Sequence, residues 1–273
     1  MNYSNVVITG ASSGIGAECA KQFHALGGNV VLVARREDRL KEICEVLNGV
    51  RCGSASYRIV NLANPNDSAF LALEDELRNS HVDVLINNAG FGSFGEFAAL
   101  PLERELEMIN LNVIATTRLS HAVLGNMKAR GSGALVILSS IAGFQPIPSM
   151  STYAATKAFS LSQGLALHFE YAPYGVKVLT VCPGPVETEF GGVARVPGMV
   201  TGGVRDTPDQ VVTELIAALN RGKAWIIPCL RARLLSIGSR LLPRTLTTYL
   251  TGRMLRPVLN HVLAGGTSER KSS

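Results

Sequence analysis

Five continuous apolar runs rich in Val, Ile and Leu, at residues 5–9, 29–34, 82–86, 133–139 and 176–181, constrain this chain more than any other feature. Alternating apolarity marks a strand with one wet face, whereas unbroken apolarity marks a strand buried on both faces, as in a parallel sheet. Residues 55–60 and 224–228 supply a weaker strand and a late one. Between the strands lie stretches with helical spacing: Ile15, Cys19, Phe23 and Leu26 make one apolar face, and residues 36–47, 103–130 and 151–172 supply further helical segments. Seven strands alternating with helices predict an α/β fold, a doubly wound parallel seven-stranded sheet.

The chain has 273 residues, 47% of them apolar, enough for a sizeable core. Without repeats or low-complexity linkers it reads as a single domain over residues 1–228, followed by a helical extension over 229–273. Thr207-Pro208-Asp209-Gln210 predicts a helix start with a capping box. Residues 191–203, with five Gly and one Pro, predict a mobile loop beside the ligand. Five scattered Cys without a C-x-x-C pair, and five His without ligand spacing, predict reduced thiols and no metal site. The start of the chain has no basic segment, and no apolar run reaches the roughly 18 residues that span a bilayer, so a cytoplasmic setting is expected.

Charge is unevenly distributed. Residues 221–273 carry ten Lys and Arg against Glu269 alone, a net +9, which leaves −4 of the total +5 for residues 1–220. A mildly acidic body with a basic tail is not a nucleic-acid-binding surface.

Immediately after the first strand comes Thr9-Gly10-Ala11-Ser12-Ser13-Gly14-Ile15-Gly16, entering the first helix. Glycines there let the backbone approach a pyrophosphate, and the helix start offers free N–H groups, as in Rossmann-like dinucleotide sites. A plain tight turn is the simpler alternative. The second strand ends in Val33-Ala34-Arg35-Arg36, with no acid before Glu37. An acid would bond the ribose 2′-hydroxyl of NAD, whereas a guanidinium pairs with the 2′-phosphate of NADP. NADP(H) is therefore expected, with Arg35 the principal contact and Arg36 secondary, unless both arginines simply open a solvated helix.

Asn87-Asn88-Ala89-Gly90 closes the fourth strand, Ser139-Ser140 the fifth, and Tyr153 and Lys157 follow four apart on a predicted helix. With T-G-x-x-x-G-x-G, N-N-A-G, a Ser thirteen residues before Tyr, Y-x-x-x-K and P-G-x-V-x-T in order, the chain resembles the short-chain dehydrogenase/reductase family over about residues 4–228. That resemblance implies an oxidoreductase interconverting a carbonyl and an alcohol. Tyr153 would be the general acid/base and Ser140 the partner of the reacting oxygen. Lys157 would hold the nicotinamide ribose and lower the phenol pKa, and Asn112 would hold a water behind the lysine. Asn110 and Ser139 are the neighbouring alternatives; a helix pattern and the thirteen-residue interval favour Asn112 and Ser140. By the same resemblance Asn61, Leu62, Asn88, Ala89 and Gly90 flank the adenosine half, while Pro183, Gly184, Val186 and Thr188 orient the nicotinamide. Asn61 stands where the family usually has an acid. Taken singly, these residues also read as packing, turn and cap positions.

Phe94, Phe144, Ile147, Met150 and Phe190 fall in segments that flank the family's cleft and suggest an apolar substrate, although ordinary packing explains them nearly as well. In the tail, Leu234, Leu235, Leu241 and Leu242 share one helical face and Arg233, Arg240 and Arg244 the other. Such a basic amphipathic extension closes over the cleft, packs against another subunit of a homodimer or homotetramer, or touches a membrane peripherally; packing within the protein or its assembly is the favoured expectation. The rival readings are a cofactor-binding sensor or scaffold without catalysis, and a peripheral-membrane lipid reductase.

Overall fold

The sheet runs β3-β2-β1-β4-β5-β6-β7, all parallel, from strands β1 (Asn5–Thr9), β2 (Asn29–Ala34), β3 (Ala55–Ile59), β4 (Val84–Asn87), β5 (Gly133–Leu138), β6 (Val176–Val181) and β7 (Trp225–Ile226). The computed structural model describes residues 3–194 and 205–269. All seven expected strands form, and every residue of β4 and β5 is buried, as unbroken apolarity requires. Strand order reverses between β1 and β4, so a crevice opens beyond their carboxyl ends, where ligands bind in such sheets.

Helices α1 (Gly14–Ala25), α2 (Glu37–Val50) and α8 (Pro208–Asn220) cover one face, where Phe23, Leu40 and Leu215 pack on Val6 and Ile8. The other face carries α3 (Ser68–Asn79) and α5 (Thr116–Arg130), with Phe70, Leu119 and Met127 against Val7 and Leu85, and the end of α6 (Ser151–Tyr171), with Leu167 and Tyr171 packed at its edge. Alternate residues of one strand therefore serve different layers. The capping box at Thr207 is present: its side chain accepts from the Gln210 N–H, and the Gln210 side chain accepts from the Thr207 N–H.

Local geometry departs from the expected pattern in several places. Leu26 is 53% exposed, because α1 ends at Ala25 and Gly27 turns the chain with φ 91°. Residues 103–130 are not one helix: α4 (Leu102–Ile109) passes through a π-helical stretch, Asn110–Ala115, before α5. A π stretch keeps the apolar content of a helix but shifts its faces, so periodicity does not reveal it. Phe190–Val193 forms a short helix, α7, where the glycine-rich loop was expected; residues 195–203 of that loop lie outside the described residues.

Beyond the sheet come α9 (Leu230–Leu241) and α10 (Arg244–Glu269), the latter with Pro257 inside it. The face α9 buries is not the leucine face. Ala232 and Ser236 go inward, while Leu234, Leu241 and Leu242 are exposed. Small residues let the helix approach closely: a Cβ on Gly184 would lie 2.9 Å from that of Ala232. From α10, Leu255 enters a cluster with Phe91, Phe94, Met108, Met150 and Tyr153.

Candidate active site

The turn after β1 is fastened from β4. Thr9 Oγ1 accepts from the backbone N–H of Asn88 and of Ala89, both at 3.0 Å, and Asn88 Nδ2 donates to Thr9 O at 2.9 Å and Gly10 O at 3.2 Å. Gly10 and Gly14 have φ of 66° and 56°, a region costly for a side chain. Thr9 and Asn88 thus hold the loop ahead of α1 so that the first-turn N–H groups face the crevice. The crevice is a cleft of about 680 Å³ lined by Gly10, Ser12, Ser13, Gly14 and Ile15. Gly16 is not on that wall; it lies behind it, where a Cβ would meet Gly10 O at 2.3 Å and Asn88 Nδ2 at 2.5 Å. Gly16→Ala is accordingly expected to cost about 3 kcal/mol and lower Tm by several degrees. Melting within about 1 °C of the parent would show that the turn does not need this close approach.

Arg35 and Arg36 both line the cleft beside the glycine turn. Arg36 is engaged: its guanidinium lies 2.8 Å from Glu189 Oε2 and donates to Ser12 Oγ at 3.1 Å. The same arginine, more than any other group, holds the Glu189 carboxyl below its usual range. Sequence reasoning missed Glu189, whose contact crosses the cleft between segments about 150 residues apart. Asn61, Leu62, Asn88, Ala89 and Gly90 line the cleft from β3 and β4, and Pro183, Gly184, Val186 and Thr188 line it after β6. Glycines that a Cβ would crowd, a cleft of this volume and two arginines at the end of β2 together fit a dinucleotide.

Ser140 follows β5 in extended conformation, and its Oγ accepts from the Ala142 N–H at 3.1 Å. The Tyr153 side chain comes from α6 to lie beside Ser140, close enough for that hydroxyl to bear on the phenol, its ring 5.3 Å from that of Phe190. The neighbour Ser139 is turned to structure, donating to Lys157 O at 2.7 Å. Lys157 Nζ donates to Leu138 O at 2.8 Å and lies 5.9 Å from the centre of the Tyr153 ring. Asn112 does not line the cleft. It is buried in the π stretch, where Nδ2 donates to Phe91 O and Thr156 Oγ1, each at 3.0 Å. Its Oδ1 and Lys157 Nζ both face Gly90, 2.9 and 3.3 Å from where a Cβ would sit.

Burial reverses one expected sign. Tyr153 and Lys157 are only 7% and 6% exposed. Loss of solvation pushes the phenol up to about 12, partly offset by the Ser140 hydrogen bond, where a fall driven by Lys157 was expected. The ammonium is pushed down to about 8 by the same burial, with Cys182 acting weakly the other way. The arrangement can hold a carbonyl or alcohol oxygen between two hydroxyls, both protonated at neutral pH.

The wall opposite is apolar. Ile147, Met150 and Phe190 line the cleft as expected, together with Phe91 and Leu111. Phe94 instead packs behind Tyr153, and Phe144 stacks edge-on against Trp225 at 5.7 Å. Thr251, Met254 and Leu255 of α10 complete the rim. Their part was invisible locally, because it depends on how α10 folds back.

Comparison with known proteins agrees with this geometry. A family model described as short chain dehydrogenase matches residues 4–195. Over 190 residues the chain is 37% identical to a dehydrogenase/reductase SDR family member 7B of Danio rerio; the match covers 68% of this chain and 62% of that protein, less than two thirds of its length. Among solved structures, a short-chain dehydrogenase from Sphingobium yanoikuyae in complex with NADPH is 34% identical with a TM-score of 0.79, covering 86% of this chain and 92% of that one. The bulky-bulky ketone specific alcohol dehydrogenase from Comamonas testosteroni is 30% identical with a TM-score of 0.75, covering 86% of this chain and 91% of that one. A glycine turn held by N-N-A-G, a buried Tyr and Lys one helical turn apart, and these matches make the chain a member of the short-chain dehydrogenase family, oxidoreductases that use a nicotinamide cofactor.

Proposed function

We propose that the protein is an NADP(H)-dependent oxidoreductase that interconverts an apolar ketone and its alcohol. The observation that carries this reading is the Ser140–Tyr153 contact, set between a dinucleotide-shaped cleft end and an apolar wall. A sensor that only bound cofactor would gain nothing from burying a phenol against a serine.

The backbone from Gly10 to Ile15 and the Ser12 and Ser13 hydroxyls would hold the pyrophosphate, with Arg35 and Arg36 at the 2′-phosphate. Asn61, Leu62 and Asn88 to Gly90 would flank the adenosine, and Pro183, Gly184, Val186 and Thr188 would orient the ring. The nicotinamide, when bound, supplies or accepts the hydride. Ser140 donates to the substrate oxygen, and Tyr153 delivers its proton to that oxygen in reduction or removes it in oxidation. Lys157 brings positive charge beneath the reacting end, and Asn112 positions it by tying Phe91 to Thr156.

NADP(H) rests on the missing acid at the end of β2 and on Arg35, whose charge is not engaged by Glu189 as that of Arg36 is. The relative from Sphingobium yanoikuyae was solved with NADPH, which points the same way. Arg35→Ala is expected to raise KM for NADPH about 10–100-fold, the loss of a charge-assisted phosphate contact, and to leave KM for NADH within about twofold. An unchanged preference would remove Arg35 from the phosphate site.

The apolar wall of Phe91, Ile147, Met150 and Phe190 supports an apolar substrate. NADPH consumption measured across ketones of graded chain length and ring number should show kcat/KM rising with apolar bulk. A best substrate that is small and charged would overturn the substrate assignment.

A further inference from the structure

The outer face of the C-terminal helices is left without a role by the catalytic reading. On α9, Leu230, Leu234, Ile237 and Leu241 recur at helical spacing and are 68%, 59%, 46% and 78% exposed. Ala232 and Ser236, on the opposite side of the helix, are the buried positions. A water-facing helix has the reverse arrangement, apolar inward and polar outward. On α10, Leu246, Tyr249, Leu250 and Met254 are likewise exposed at helical spacing, and Leu255 is buried. Exposed large apolar side chains in such rows mark an interaction site.

Its charge setting selects the partner. Residues 229–260 contain six arginines and no acidic residue, and the Arg244, Arg253 and Arg256 side chains are exposed. We propose that α9 and α10 seat the protein on an anionic lipid surface, with the apolar stripe at the acyl boundary and the arginines against lipid phosphates. A second copy is the poorer occupant, because a two-fold interface through this face would oppose one arginine set to another. The net −4 of residues 1–220 is repelled by the same surface and orients the tail toward it. No helix among the described residues is long and apolar enough to cross a membrane, so the contact is interfacial. Thr251, Met254 and Leu255 of α10 also line the cleft, so its rim is built by the very helix that would rest on lipid.

Cosedimentation of the full chain with phosphatidylcholine vesicles, with and without about 30% phosphatidylglycerol, tests this directly. Binding to anionic vesicles is expected to exceed binding to neutral ones at least about tenfold and to fall steeply as salt rises to about 1 M. The triple variants Leu234→Ser/Ile237→Ser/Leu241→Ser and Arg244→Gln/Arg253→Gln/Arg256→Gln should each lower anionic binding at least about tenfold, with Tm and NADPH binding held. The serine variant alters only outward side chains; if it nevertheless unfolds, the arginine variant and the salt series decide the matter. Equal or absent binding to both vesicle types overturns the proposal. So does a parent that ignores vesicles but sediments as an oligomer that the serine variant breaks into monomers, which would make this face a subunit interface.

Discussion

Tyr153→Phe should lower kcat about 10²–10⁴-fold, the share of a positioned proton donor, and leave NADPH affinity within about twofold. The substitution is narrow. Phenylalanine keeps the ring that packs beside Phe190 and within the Phe91 and Met150 cluster, and it removes only the hydroxyl that meets Ser140. Because burial holds the phenol at about 12, the hydroxyl is protonated throughout the neutral range. Ketone reduction needs that protonated form and should vary little between about pH 6 and 8, whereas alcohol oxidation needs the ionised form and should gain steadily with pH. A variant that turns over near the parental rate would remove Tyr153 from the chemistry. Equal pH responses in the two directions would show that its proton transfer does not limit either.

The parallel sheet was legible because its central strands are buried on both sides and so carry unbroken apolar runs; β7 shrank most, to Trp225–Ile226. The glycine turn was legible because φ above zero and close backbone approach admit few residues. What escaped sequence reasoning depended on distances between remote segments. The expectation that Lys157 lowers the Tyr153 pKa rested on helical spacing and the family resemblance, neither of which registers burial; in the fold Nζ turns to Leu138 O and both groups lose solvent. Phe94 and Phe144 belong to cleft-flanking segments yet point into packing. On α9 the sequence marks an apolar stripe without saying which way it faces; Ala232 decides that, because only a small side chain fits against Gly184.

Lys157→Met should abolish turnover and at the same time make the protein more stable. The ammonium sits in a pocket that lowers its pKa from an ordinary 10.5 to about 8, so keeping it charged at pH 7 costs about 3 kcal/mol of folding free energy. Methionine fills similar space without charge, but leaves Leu138 O without its donor, a loss of about 1 kcal/mol. The balance favours the variant by about 2 kcal/mol, or about 4–8 °C in Tm. The pH dependence fixes the origin of the gain. Between about pH 8 and 10.5 the unfolded lysine still binds a proton that the folded one has released, so parental stability rises with pH relative to the variant across that window, and their difference shrinks toward pH 10.5. Thermal denaturation of both proteins at pH 7 and about pH 10 measures this. A variant that melts below the parent, or a difference that stays constant with pH, would mean the buried lysine is not held at a cost to stability. A cost retained at this position is what a site that needs a cation beneath its reacting end would show, since the fold by itself is better served without one.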